Sequence, residues 1–476
     1  MNSKIVFGTD GWRAVIAEDF TITNVQLCAQ AVANYLKENN LENDDFIVGF
    51  DTRFGSQLFA EKVAEVIAGN DIHVYLTQTH TPTPVISYNV KNMNASGAII
   101  ITASHNSAKW NGFKIKLGYG GSAPPETISN IEKNIELLES SKTIPSTIPI
   151  AEGIRDHKIE YFDPKPSYIE HIKTLVDLES IQSKPFKIGI DSMYGAAMGY
   201  ISEILANSNV SISEINNTVN PIFPGIKNPE PIVQNLANLK TLVLMESLTI
   251  GVATDGDGDR VGVIDENGQY LSALQVFSIL VFYFLNTKKE KGTIVKSITT
   301  SKMVNKLADL YGQEVIETKV GFKYLGPAFM ESNAILAGEE SGGFGFINHI
   351  PERDGILSAL YLIEAIAKIE KPLSEIMNTV YRKVGTHHYD RLDLNFPESS
   401  RENIEQNLTT TRPTIMLDIP ITTYSSQDGH LYTLLDDSWV LVRFSGTEPL
   451  IRIYAESSSR ENVQKLIGEA RKLTGV

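Results

Sequence analysis

Three features predict an α/β chain of several layers closed by a smaller α+β domain. Short apolar runs ending in polar or glycine-rich loops recur along the first three-quarters of the sequence, each followed by a helical period. The clearest are residues 46–50 before Asp51-Thr52-Arg53, residues 186–190 before Asp191-Ser192, and residues 293–296 before Ser297. The final stretch changes character: residues 431–435, 439–443 and 450–454 read as strands and 460–472 as a closing helix. The three similar openings suggest a repeated α/β domain, although the match is too weak for a sequence repeat in the strict sense.

At 476 residues the chain exceeds one ordinary core, and its length alone suggests roughly three domains of ~150 residues. Seams are expected where the period breaks: at residues 140–149, a serine-, threonine- and proline-rich stretch, at 266–268 around Asn267-Gly268, and at 383–388. The net charge of -15 opposes binding to a nucleic-acid backbone, which depends on lysine and arginine displacing counterions. A small phosphorylated ligand stays compatible, because a few clustered arginines reverse the local potential.

The single cysteine, Cys28, lies in an apolar periodic stretch and reads as core packing, which leaves no intrachain disulfide or multi-cysteine zinc site. The first residues carry no apolar signal-peptide core, and the longest hydrophobic stretch, 274–285, is shorter than the ~20 residues of a membrane span. A cytoplasmic protein without membrane or nucleic-acid partners is expected.

Ser104 is the first candidate for chemistry. It follows the apolar run Ala98-Ile99-Ile100-Ile101, of the kind found in strands covered on both faces, so its hydroxyl should emerge at the carboxyl end of a buried parallel sheet. Ligands bind at that edge in open α/β sheets. An isolated serine there is commonly a helix N-cap. Here His105 and Asn106 add hydrogen-bonding groups, Trp110-Asn111-Gly112-Phe113 reads as a hairpin turn, and Lys114 and Lys116 share a strand face beyond it. A hydrolytic Ser104-His105 pair is disfavoured, since adjacent residues seldom point at one another and no Gly-x-Ser-x-Gly elbow surrounds the serine.

Asp255-Gly256-Asp257-Gly258-Asp259-Arg260 is the second candidate. Alternating glycine lets a tight loop aim three carboxylates at one centre, and oxygen-only ligands suit magnesium. A calcium loop is the competing reading, with Glu266 at its twelfth position. Arg260 stands where that loop needs glycine, and the flanks are strand-like rather than helical.

Arg443-Phe444-Ser445-Gly446-Thr447-Glu448-Pro449, with Arg452 on the next strand, offers what a phosphate dianion needs: a guanidinium fork, hydroxyls and a glycine backbone open to close approach. A polar surface hairpin is the plainer alternative. Glu339 and Ser341, in Gly338-Glu339-Glu340-Ser341-Gly342-Gly343, could hydrogen-bond sugar hydroxyls or form a solvated turn. Gly8-Thr9-Asp10-Gly11-Trp12-Arg13 is a turn with one arginine.

Taken in order, residues 7–13, 102–106, 255–260, 338–341 and 443–449 resemble the motifs of the α-D-phosphohexomutase superfamily, over essentially the whole chain. The resemblance implies three related mixed α/β-sheet domains plus a C-terminal α+β phosphate-binding domain. These are expected at 1–147 with the phosphoserine loop, 148–266 with the metal loop, 267–382 with the sugar loop, and 383–476. It implies that Ser104 is the phosphoserine, that Asp255, Asp257 and Asp259 hold one Mg2+ together with a phosphoseryl oxygen, and that Arg13, His105 and Arg260 lie near the transferring group. Glu339 and Ser341 match the sugar loop; Arg443, Ser445, Gly446, Thr447 and Arg452 match the phosphate loop.

Three departures limit the carry-over. Ser107 stands where many members have proline, and Gly343 where bacterial phosphomannomutase-like members have histidine. Arg353 stands where phosphoglucomutases carry lysine, and a guanidinium is a poor proton acceptor. Lys114 is therefore the expected proton shuttle, with His349 second. The implied reaction exchanges hexose 1-phosphate and 6-phosphate through a bound 1,6-bisphosphate, with glucose 1,6-bisphosphate as activator. Glucose is the expected sugar and mannose a second. Phosphoglucosamine mutase, a metal-dependent sugar phosphatase and a silent phosphosugar-binding protein are the alternatives. The partner is a small phosphosugar, and the chain a monomer or homodimer.

Overall fold

Ile99, Ile100 and Ile101 are fully buried in the strand Gly97–Ile101 and face opposite ways. Ile99 and Ile101 join a core with Val25 and Val63 from two helices on one face, and Ile100 joins Ile86 and Val90 on the other. Each such side chain contributes about 1.5–3 kcal/mol, which fixes the strand at the centre of its sheet. The computed structural model describes residues 5–445 and 450–475.

Strands β1 (Trp12–Val15), β2 (Phe46–Phe50), β3 (Val74–Thr77), β4 (Gly97–Ile101), β5 (Trp110–Leu117) and β6 (Ile159–Phe162) form the first sheet, in the order β1-β5-β4-β2-β3-β6. The second contains β7 (Lys187–Asp191), β8 (Ser211–Ile215), β9 (Ile250–Thr254), β10 (Val261–Ile264) and β11 (Tyr270–Leu271), ordered β11-β10-β9-β7-β8. The third holds β12 (Ile294–Ser297), β13 (Val315–Thr318), β14 (Leu336–Gly338) and β15 (Phe344–Phe346), ordered β13-β12-β14-β15.

One four-strand plan recurs in all three: β5-β4-β2-β3, β10-β9-β7-β8 and β15-β14-β12-β13. Its first pair is antiparallel and the next two pairs are parallel. The repeat faintly visible in the sequence is thus a repeat of topology. Residues 102–109, 255–260 and 339–343 each join the antiparallel pair, so the serine, aspartate and sugar motifs occupy one topological position in three sheets.

One expectation is corrected. Asn111-Gly112 is no turn; both residues lie inside β5, with Gly112 opposite Arg13. A Cβ at 112 would sit 2.5 Å from Thr102 O and 2.9 Å from Trp12 O, so glycine is needed for close strand approach rather than for reversal. The chain reverses earlier, in the segment that carries Ser104. Beyond the proline-rich stretch at 140–149 the chain still adds β6 to the first sheet, beside β3, and the second sheet runs on to Leu271. Proline and serine mark irregular backbone, whereas sheet membership is set by pairing.

β16 (His388–Asn395), β17 (Ile415–Met416), β18 (Ile419–Ser425), β19 (His430–Leu434), β20 (Trp439–Phe444) and β21 (Leu450–Ser457) build an antiparallel sheet in the order β16-β21-β20-β19-β18-β17. The helix Arg460–Thr474 covers it with Val463, Leu466 and Ile467. Among the described residues no helix is long and apolar enough to cross a membrane; the apolar stretch from Leu274 packs into the core shared by the second and third units.

Candidate active site

Ser104 has a left-handed backbone, φ +51°, uncommon for a residue with a Cβ and costing about 1–2 kcal/mol. Its N–H donates to Thr102 Oγ1 at 2.9 Å, and its hydroxyl donates to Asp255 Oδ2 at 2.8 Å. The same oxygen lies 3.2 Å from His105 Nδ1, so these adjacent side chains do meet, contrary to the sequence expectation; the left-handed turn at the serine accompanies this contact. Burial first, then Arg260, Arg13, Lys114 and Arg53, hold the His105 pKa well below the usual histidine range, which keeps the ring neutral at physiological pH.

The aspartate loop is as tight as its glycines permit. Gly258 has φ +74°, and a Cβ on Gly256 would stand 2.4 Å from Ser104 O, so only glycine allows the two loops this approach. Asp255 Oδ1 accepts the N–H groups of Asp259 and Arg260 at 3.0 and 3.1 Å. Asp255, Asp257 and Asp259 are buried, with one potential ligand oxygen each, all within 4.8 Å of one another. Asp257 Oδ1 and Asp259 Oδ1 have no hydrogen-bond partner among the described residues. Buried carboxylate oxygens left this way are costly unless a cation occupies the space between them, so the donor set fits a hard divalent ion. Burial and the neighbouring Asp259 and Asp257 charges push the Asp255 carboxyl well above its usual range, outweighing the nearby Arg260.

Lys114 is buried against Asp10 at 2.7 Å, Asp257 at 2.7 Å and Asp259 at 3.1 Å. Burial alone would favour loss of its proton, yet these three carboxylates outweigh it and hold the pKa above the ordinary lysine range. In this arrangement the residue expected to shuttle a proton is a firmly charged ammonium. Lys116 pairs with Glu352 at 2.5 Å, and Asp10 also accepts from Arg353 at 2.5 Å.

Arg353 carries the network into the 339–343 loop, reaching Asp259 at 2.8 Å and Glu339 at 3.6 Å. Glu339 accepts the Gly321 N–H at 2.8 Å, while the buried Ser341 hydroxyl has no hydrogen-bond partner among the described residues. The glycine standing in place of histidine now has a cause: a Cβ at 343 would lie 2.1 Å from Arg353 Cδ. Gly343→Ala is expected to displace Arg353 and lower turnover roughly tenfold. Combined with Arg353→Ala it should cost no more than Arg353→Ala alone; additive losses in a double-mutant cycle would contradict the shared space.

The His349 ring is fully buried, 2.9 Å from Asp354 Oδ2 and 3.0 Å from His171 Nε2, and stacked near Tyr88. Though only four residues apart, His349 and Arg353 have different partners. Arg13 donates to Asn106 Oδ1 at 2.6 Å, and Arg260 reaches Glu230 at 3.4 Å, its Nε making no hydrogen bond among the described residues.

In the C-terminal unit Arg443 and Arg452 stand opposite each other on β20 and β21, beside the buried Ser445. Gly446 and Thr447 lie outside the described residues. Arg443 Nε donates to Asp428 Oδ1 at 2.9 Å, whose Oδ2 accepts the Val320 N–H at 2.9 Å. Val320 precedes Gly321, the partner of Glu339. A continuous path therefore runs from Arg443 through Asp428, the 320–321 backbone, Glu339 and Arg353 to Asp259. Sequence reading missed Arg53, Glu352 and Asp428 and gave Asp10 no role; Asp10 lay within a recognised turn, but only pairing across units gives it one.

A serine held against a carboxylate triad, joined to an acid-and-hydroxyl loop and an arginine pair on a separate sheet, defines a phosphosugar phosphotransferase on a four-unit frame. The comparisons agree. Family models for phosphoglucomutase/phosphomannomutase match in order: α/β/α domain I at residues 4–142, domain II at 166–268, domain III at 274–384 and the C-terminal domain at 427–473. The chain belongs to this family, within the α-D-phosphohexomutase superfamily, and is a phosphohexomutase. A phosphoglucomutase/phosphomannomutase of Thermococcus kodakarensis is 29% identical over 468 residues, 98% of each chain. A phosphoglucosamine/phosphogalactosamine mutase of Sulfurisphaera tokodaii is 28% identical over 472 residues, also 98% of each. A crystal structure from Thermus thermophilus, provisionally assigned as a phosphomannomutase, superimposes with a TM-score of 0.86 at 32% identity, covering 100% of both chains.

Proposed function

We propose that the protein interconverts hexose 1-phosphate and hexose 6-phosphate, with glucose the preferred sugar and mannose accepted, through phosphorylated Ser104 and a bound 1,6-bisphosphate. The observation that carries this reading is the Ser104 hydroxyl 2.8 Å from Asp255, joined by unbroken contacts to Glu339 and Arg443. Ser104 Oγ gives its phosphoryl group to the free sugar hydroxyl, the bisphosphate turns over, and its other phosphoryl group returns to the same oxygen. Bound by Asp255, Asp257 and Asp259, magnesium would offset charge on the transferring oxygens and on two of the carboxylates that grip the Lys114 proton.

Arg13 and Arg260 supply further positive charge beside the phosphoryl group. The neutral His105, 3.2 Å from Ser104 Oγ, and Lys114, once the metal draws charge from Asp257 and Asp259, carry the proton of the sugar hydroxyl. Glu339 and Ser341 orient the sugar, and Arg443, Ser445, Gly446, Thr447 and Arg452 grip the phosphate that stays in place. One clamp must accept both substrate orientations.

Amino-sugar relatives favour a second reading, a phosphoglucosamine mutase. Rates on glucose, mannose and glucosamine 1-phosphates, with Mg2+ and a trace of the matching 1,6-bisphosphate, separate the two. The fastest turnover is expected with glucose 1-phosphate. Faster turnover of glucosamine 1-phosphate would favour the second reading, and release of inorganic phosphate in place of isomer would mark a phosphatase.

A further inference from the structure

Arg53 follows β2, touches none of the metal-loop carboxylates, and has a side chain with no exposed surface. All five of its N–H bonds are used. Nε donates to Asp51 Oδ2 at 3.1 Å; Nη2 donates to Ser104 O at 2.7 Å and Asn106 O at 2.6 Å; Nη1 donates to Ser107 O at 3.0 Å and Trp110 O at 3.1 Å. Three carbonyls of the serine loop and that of Trp110 at the start of β5 thus converge on one planar fork. The same Asp51 carboxylate accepts the Thr102 hydroxyl at 2.6 Å, and Thr102 Oγ1 in turn receives the Ser104 N–H. Both sides of the strained serine are tied to Asp51, its N–H through Thr102 and its C=O through Arg53.

We propose that Arg53 is a positioning residue for phosphoryl transfer. Together with Asp51 and Thr102 it fixes the left-handed backbone of Ser104, and so aims the hydroxyl at the Asp255 side chain. This rests on the mutase reading above. A guanidinium is required because lysine offers one nitrogen where carbonyls are presented in four directions. The bond to Ser107 O also tightens the loop at the position where relatives carry proline.

The test compares Arg53→Ala, Arg53→Lys and the near-isosteric Thr102→Val with wild type, measuring kcat, KM for glucose 1-phosphate, the Mg2+ Kd and the thermal midpoint. Misplacing a nucleophile by about 1 Å costs ~100-fold, and that loss of kcat is expected for both Arg53 variants, with KM and Mg2+ Kd within about threefold of wild type. Added guanidinium should restore a good part of the Arg53→Ala loss, and Thr102→Val should lose kcat at unchanged KM. Arg53→Lys with near wild-type kcat would overturn the proposal. If the Arg53 variants fail to fold, Thr102→Val decides: lost kcat at unchanged KM supports the clip, and full kcat refutes it. Wild-type turnover in the same assay tests the mutase reading separately.

Discussion

Ser104→Ala is expected to leave the fold intact and lower kcat by roughly four orders of magnitude or more, as removal of a covalent nucleophile does. The substitution removes one oxygen whose contacts are Asp255 and His105, so little packing is lost. Alanine also keeps the Cβ that the loop already accommodates. Incubation with glucose 1,6-bisphosphate should add a phosphoryl mass to the wild-type chain and none to the variant. A variant that still accepted phosphate, or kept its rate, would remove the covalent route.

Asp257→Asn is expected to act nearly as strongly by a different path. It removes one of three carboxylates from the cage and weakens the partner of both Lys114 and Thr83, which donate to the same oxygen at 2.7 and 2.6 Å. Mg2+ affinity should fall by at least about tenfold to a hundredfold, with kcat falling even at saturating metal. Burial pushes the Asp257 carboxyl up, but Lys114 and Thr83 overcome this and hold it well below the usual range, so the wild-type ligand stays ionised throughout the neutral pH range. Titration calorimetry reads the affinity directly. Unchanged magnesium binding would mean that the cage lies elsewhere.

Much of the centre was legible because its motifs are local. Three aspartates alternating with glycine, and a serine after an apolar strand, declare their chemistry within a few residues, and the structure adds why the glycines are needed. What depends on neighbours distant in sequence was not legible. Asn111-Gly112 has the composition of a turn, yet Trp12 and Thr102 press on it from both sides and make it strand. Arg53 looks like an ordinary residue after a strand until four carbonyls some fifty positions later close on it. His349 lies four residues from Arg353, but Asp354 and His171 claim its ring. Asp428 shows its role only through the Val320 N–H of another unit. The three carboxylates that surround Lys114 come from loops distant in sequence and were likewise not legible.

The central claim is that the oxygen at position 104 and the aspartate triad serve one divalent ion. The most direct measurement replaces magnesium with manganese in the phosphorylated protein and records 31P electron-nuclear double resonance. A strong phosphorus coupling, absent in Ser104→Ala and diminished in Asp257→Asn, is the predicted result. A manganese signal without phosphorus coupling, or one unchanged in Ser104→Ala, would contradict it.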